Sequence, residues 1–462
     1  MTDPESASPF ETQAGGVARL DRSPLQREIQ RRVVRILPGL RRLDAGRREL
    51  TRRLTGRPHV IDFFHQVDDA YSHLALEAVG PLLERYDIEI RFHLTSPTDR
   101  SHVPEPERLA RYARRDCAAI APYYELEFPR DAKSPTPTSI TRVERLLAQL
   151  TEDSRFLEVA LDAGRALWCD DSTELDRLVD RIPSASEAET RSVLEAGSAL
   201  RARRRHYSGG MFWYAGEWYW GVDRLHHLER RLIQLGTSRH ASTTPRFDRP
   251  SIDPGTIQND GRLTLEFFIS LRSPYTAMIF DRTIQLAESV GIPVTLRPVM
   301  PMVMRGAPVP SAKGLYIMLD SLREAEQLGA PFGNMYDPVG RAVERGFAAW
   351  TFARDSGRGT EFLSAFLKAA FAEGRPTGTD DGIRRVLEQA GLSFEAAAPA
   401  LESEAWRDEL EENRQTLYNE LGLWGVPSYR LRGPENESDL CVWGQDRLWL
   451  VAAEIRRRLG SN

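Results

Sequence analysis

Gly425-Val426-Pro427-Ser428-Tyr429, followed by an apolar run that ends in Val442-Trp443-Gly444-Gln445-Asp446-Arg447-Leu448, reads as a strand begun at a proline, a turn at Arg432-Gly433-Pro434-Glu435-Asn436, a returning strand and a helix start. An earlier stretch repeats the plan: Met211-Phe212-Trp213-Tyr214, a turn at Ala215-Gly216-Glu217, then Trp218-Tyr219-Trp220-Gly221-Val222-Asp223-Arg224-Leu225. A second matched pair precedes the two copies. Asp62-Phe63-Phe64-His65-Gln66-Val67-Asp68-Asp69-Ala70-Tyr71 resembles Glu266-Phe267-Phe268-Ile269-Ser270-Leu271-Arg272-Ser273-Pro274-Tyr275. Two matched pairs in the same order predict a duplicated domain.

A chain of 462 residues is expected to hold about two to four domains of ~100–200 residues each, and the duplication selects two. With 41% hydrophobic and 28% charged residues and a formal charge of -5 the chain is globular, with no overall pull towards nucleic acid. Cys117, Cys169 and Cys441 lie far apart and never as Cys-x-x-Cys, which excludes a disulfide scaffold and a dithiol redox centre. Residues 1–13 are acidic without the apolar core of a secretory signal, and no apolar run of ~20 residues occurs. The expectation is a cytoplasmic protein without stable membrane insertion.

In chain order, residues 1–22 read as a disordered tail and 23–57 as a basic helical arm, opened by Ser23-Pro24 as cap and first helical residue. Its apolar residues fall in two stripes either side of Pro38, backed by arginines, and the pattern predicts an arm whose apolar side covers its own domain or a partner while the basic back faces water. Residues 58–236 form the first domain: a strand from His59, a helix over 71–86, a strand over 88–94, a helical block over 105–201, the aromatic hairpin and a last helix. Residues 237–262 gather Ser, Thr, Pro, Asp and Gly and read as a linker. Residues 263–462 repeat the order, with a helical block over 312–421. The class is α/β: two tandem thioredoxin-like domains, each with an α-helical insertion between a βαβ and a ββα half.

Phe267-Phe268 with Ser273-Pro274-Tyr275, the Gly425-Val426-Pro427 turn and the Trp443-to-Leu448 helix start resemble the DsbA-like thioredoxin superfamily, in its branch of 2-hydroxychromene-2-carboxylate isomerases and kappa-class glutathione transferases. The resemblance spans the second domain. It implies glutathione as cofactor, held by Ser273 at the sulfur, Tyr275 beside it, the backbone of Val426 before a cis Pro427, and Gln445 with Asp446 at the γ-glutamyl end. It also implies pairing of thioredoxin units, satisfied within one chain as a pseudo-dimer or between chains as a homodimer. The asparagine that relatives often carry after the second strand is absent, and Ala307 stands in that region.

Judged as chemistry, Ser273 lies where a strand gives way to a helix, so its hydroxyl and the free N–H groups there favour a thiolate; a plain helix cap accounts for the same residues. The second domain holds no histidine, which excludes a Ser-His-Asp hydrolase and suits a borrowed nucleophile. The first domain holds His65, Asp68, Asp69 and His73 at the corresponding turn, with His93 and His206 on neighbouring segments and Gly210 where the second has Pro427. The spacing fits no metal motif, so no metal is assigned; an acid/base site and ordinary helix capping stay open. Three readings follow: a glutathione-dependent isomerase or transferase acting on a small apolar electrophile, a non-catalytic thioredoxin-fold scaffold, or a metal or acid/base site in the first domain.

Overall fold

The computed structural model describes residues 23–241 and 243–460, and the tail expected over 1–22 lies outside the described residues. The chain forms two compact units, one from residues 41–250 and the other from residues 23–40 with 251–460.

The N-terminal unit carries strands β1 (Val60–His65), β2 (Glu89–Leu94), β3 (Met211–Tyr214) and β4 (Glu217–Trp220) in the order β2-β1-β3-β4. β1 pairs parallel with β2 and antiparallel with β3, and β3 with β4 forms the hairpin. The C-terminal unit repeats this arrangement with β5 (Thr264–Ile269), β6 (Val294–Pro298), β7 (Ser428–Arg432) and β8 (Leu440–Trp443) in the order β6-β5-β7-β8. The central strands are apolar without alternation because both faces are covered: Ile61, Phe63 and Phe64 in β1, and Leu265, Phe267, Phe268 and Ile269 in β5, are fully buried. Phe63 packs on Phe212 of β3 at 4.6 Å between ring centroids, and Phe267 stacks on Tyr429 of β7 at 5.1 Å.

Helices from Pro106–Ile120 to Glu187–Arg203 fill the gap between β2 and β3, and helices from Ser311–Leu328 to Trp406–Gln415 fill that between β6 and β7. Each unit is therefore a βαβ half and a ββα half split by a helical insertion. Both central strands also carry one buried carboxylate held by basic side chains. Asp62 of β1 meets His93 of β2 at 2.7 Å and Arg204 at 2.8 Å; Glu266 of β5 meets Arg297 of β6 at 2.6 Å and Arg430 of β7 at 3.3 Å. A buried carboxylate without such partners would be strongly unfavourable, so these pairs are conditions for the strands being buried.

Two local expectations are corrected. The helix expected over 71–86 is two, Ala70–Glu77 and Val79–Arg85. The stretch expected as a linker, 237–262, contains the boundary between the two units at 250/251 and is hydrogen-bonded at several points. Asp87 N–H donates to Thr237 at 2.7 Å, Arg239 N–H donates to Arg85, and the Glu229 carboxylate accepts from the N–H groups of Arg246 and Phe247, whose ring is fully buried. On the C-terminal side Asn259 N–H donates to Val290 at 2.7 Å.

The basic arm is the second correction. It is one continuous helix, Pro24–Leu54, with Pro38 inside it. Ser23 Oγ accepts from Gln26 N–H while Gln26 Oε1 accepts from Ser23 N–H, the expected cap. Its apolar side is not packed on the arm's own domain. Leu43 and Leu54 are 73% and 79% exposed, and Ile29, Ile36 and Leu40 are all above half. The packed side is made by Val34 and by arginines: Arg27 donates to the carbonyls of Asp337 and Val339, Arg31 to Asn334, and Arg41 pairs with Glu217 at 2.9 Å. Guanidinium groups, with five donors each, satisfy carbonyls and carboxylates that an aliphatic stripe would strand.

Candidate functional site

In the C-terminal unit β5 ends in a tight turn, closed by Ser273 N–H to Ser270 O at 3.1 Å, and the helix Pro274–Val290 starts immediately. Ser273 is its N-cap: Oγ accepts from Thr276 N–H at 3.1 Å, and Pro274, which has no N–H to waste, is the first helical residue. The same hydroxyl donates to the carbonyl of Val426 at 3.3 Å. The helix mouth and the proline loop, 153 residues apart in sequence, thus meet at one atom pair.

The loop itself is built from three constraints. Ser428 Oγ donates to Gly425 O at 2.8 Å, Gly444 N–H donates to Pro427 O at 2.9 Å, and Trp443 packs against Trp424 at 4.8 Å between ring centroids. Gly425 is required under Trp443, where a Cβ would fall 2.4 Å from the indole nitrogen. The Val426–Pro427 peptide is cis, Pro427 is buried, and Val426 stays half-buried at the surface.

The other expected residues have definite partners. Tyr275 Oη donates to Asp320 at 2.9 Å, an acid also held by Arg323, so the phenol is turned to the helical insertion. Gln445 is buried, its amide donates to Glu324 at 2.5 Å, and its Oε1 has no hydrogen-bond partner. Ser270 Oγ and Thr276 Oγ1, on either side of Ser273, are also buried without partners. Buried orphan polar atoms are rare, and those next to the site are the positions a polar ligand or ordered water would satisfy. Asp446 is half-buried beside Arg447 at 3.7 Å. Ala307 is 4% exposed and offers no side-chain donor. Glu324 and Asp320, both from the insertion, were not readable as site residues because no local pattern links them to partners 121 and 45 residues away.

In the N-terminal unit Asp69 takes the place of Ser273, capping Ala70–Glu77 by accepting from Tyr71 N–H at 3.0 Å. The loop that faces it is Gly209-Gly210. A Cβ on Gly209 would fall 2.5 Å from Gln66 Cβ, and one on Gly210, at φ +63°, would fall 3.0 Å from Ser72 Cα. Two glycines therefore let this loop close directly onto the helix mouth. Burial, followed by the neighbouring charge of Asp68, pushes the Asp69 carboxyl up to about 7, while N–H groups of the helix start and Arg201 oppose the shift. Burial also raises Asp68, and burial with Asp68 nearby raises Glu144 to about 7.

The six residues expected as a cluster are not brought together: no three of them hold ligand atoms within 4.8 Å of one another. His65 Nδ1 shares a hydrogen with Ser72 Oγ at 2.9 Å, and burial holds the ring at about 4, neutral. His73 is buried against Gly164, 4.0 Å from Glu77, and lowered to about 3 by burial. His93 belongs to the Asp62 pair in the sheet, and His206 accepts from Ser208 N–H and stacks on Tyr207 at 4.9 Å. The charge of Asp68 acts on Asp69 and on Glu144, and that of Arg201 on Asp69, with Glu144 and Arg201 coming from helices of the insertion.

A family model described as the DSBA-like thioredoxin domain matches residues 264–456. Among solved structures, 2-hydroxychromene-2-carboxylate isomerase is 22% identical, with 42% of this chain and 95% of that one covered and a TM-score of 0.35. The cytosolic disulfide reductase DsbM from Pseudomonas aeruginosa is 22% identical over 42% of this chain and 99% of its own, with a TM-score of 0.34. The same reductase with GSH is 23% identical over 42% and 100%, with a TM-score of 0.33. No curated protein matches the chain.

Proposed function

We propose that the C-terminal unit, whose residues 264–456 match a DSBA-like thioredoxin domain, binds glutathione between Ser273 and Val426 and works as an isomerase or transferase on a small apolar electrophile. The observation that carries this reading is the 3.3 Å approach of Ser273 Oγ to Val426 O, which sets a hydroxyl, a helix N-terminus and an accessible backbone strip around one point. Orphan polar atoms on Ser270, Thr276 and Gln445 give a polar ligand something to satisfy. Bound glutathione supplies a thiolate nucleophile. Ser273 rotates its hydroxyl from Val426 O to the sulfur, and the helix dipole favours the charged form. The Val426 backbone pairs with the tripeptide's own amides, and Gln445 Oε1 accepts from its amino end. No protein cysteine takes part: Cys441, half-buried on β8, is the one cysteine of this unit.

Calorimetric titration with glutathione tests the reading. Heat at millimolar ligand, with a matching rise in the unfolding midpoint, is expected; silence in both measurements removes it. A second reading, a non-catalytic thioredoxin-fold scaffold, is favoured by one observation: the Ser273 hydroxyl already donates and accepts within the protein. It predicts the same unaltered midpoint and no turnover of an activated double bond in the presence of glutathione.

A further inference from the structure

The helix Pro24–Leu54 leaves its aliphatic side uncovered while its opposite side makes the protein contacts. At about 100° per residue, Ile29, Val33, Ile36, Leu40, Leu43 and Leu50 fall within an arc of roughly 100°. All six are exposed, between 45% and 73%. Val34, the buried residue of the helix, lies on the far side of that arc. Ten arginines against three acids give the helix a formal charge of +7 in a chain of -5. Arg32, Arg35, Arg42, Arg47, Arg48 and Arg53 are among its exposed residues. Arg32, Arg35 and Arg53 run along one margin of the stripe, Arg48 along the other, and Arg47 lies within it.

We propose that this face docks on an anionic lipid surface, with the helix lying in the plane of the headgroups. Aliphatic side chains enter the acyl boundary, and the arginines at its margins reach lipid phosphates by extending their stems. Charge decides against the other occupants. In a heptad frame Arg32, Gly39, Gly46 and Arg53 form one flank and Leu37, Asp44 and Thr51 the other. A second copy in either orientation then sets no arginine against a carboxylate, and the antiparallel one sets Arg32 against Arg53. Nucleic acid would satisfy the arginines and leave the aliphatic stripe in water. No helix among the described residues is long and apolar enough to cross a membrane, so the attachment is to the surface.

Co-sedimentation of the full chain with vesicles tests the proposal. Vesicles of equal phosphatidylcholine and phosphatidylglycerol should carry the protein down, and phosphatidylcholine alone about tenfold less. Leu40→Asp with Leu43→Asp should lower binding by about tenfold or more while the unfolding midpoint stays unchanged, both side chains being exposed. Arg35→Gln with Arg42→Gln should weaken binding and flatten its salt dependence. Equal binding to both vesicle types, or wild-type binding by the leucine double variant, overturns the proposal. So does a doubled solution mass that the leucine substitutions abolish with no vesicle binding, which would assign the face to a second copy.

Discussion

Ser273 and Asp69 cap equivalent helices, yet the two mouths differ in what they can tolerate. A hydroxyl is neutral, so closing a loop over it costs little; a carboxylate half-buried beneath Gly209 and Gly210 loses part of its water and keeps its proton to about pH 7. The linkage sign follows. Asp69 has a folded pKa above its ordinary 3.8, so the unfolded chain ionises first and stability falls as pH rises from about 4 to about 7. Asp69→Asn keeps the cap and removes the charge. At about pH 8 it should be more stable than the parent by about 1–3 kcal/mol in denaturant titration, and at about pH 4 the difference should vanish. Ser273→Ala removes a cap and should cost about 1 kcal/mol. If the hydroxyl also serves a bound thiol, the variant should raise that thiol's pKa by about one unit, ~1.4 kcal/mol, read from thiolate absorbance against pH. An unchanged thiol pKa would leave Ser273 a cap alone.

At the scale of elements, the turn before β7 shows how one residue type positions a site. Gly425 passes under Trp443 with no space for a methyl group, and the indole cannot retreat because Trp424 packs against it. Gly425→Ala should lower stability by about 1–3 kcal/mol and displace the Val426 carbonyl from Ser273, measurable as a loss of any glutathione heat larger than that in Ser273→Ala. The hairpins, the strand-to-helix turns and the caps were legible in the sequence because each is written within 16 residues or fewer: Ser273-Pro274, Gly425 to Pro427, the aromatic run from Met211 to Trp220. The arm was legible as a helix and misread as a surface. Periodicity shows which side is apolar, but which side packs depends on carbonyls at Asp337 and Val339, some three hundred residues away. Separations of about 75 to 130 residues likewise hid Glu324 behind Gln445, Glu144 near Asp68 and Arg201 near Asp69. The first unit's histidines separate for a related reason, since His65 and His73 on either side of a strand-to-helix turn, and His93 on the adjacent strand, point to different partners: Ser72, the insertion and Asp62.

For the molecule as a whole, the repeated order of strands means that each sheet completes its hydrogen bonding and buries its central strand within its own unit. Phe63 and Phe267 are the corresponding residues of the two central strands, both fully buried, each against an aromatic ring of the antiparallel neighbour. Truncating either to alanine removes a large apolar surface and leaves a cavity, at a cost of about 3–5 kcal/mol. If each core is self-sufficient, that loss is felt where the ring was. Phe63→Ala should then speed amide exchange in β1 to β4 and spare β5 to β8, and Phe267→Ala should do the converse, with calorimetry showing only part of the unfolding enthalpy moved to lower temperature. Faster exchange in all eight strands from either substitution would mean that the two cores unfold as one cooperative body.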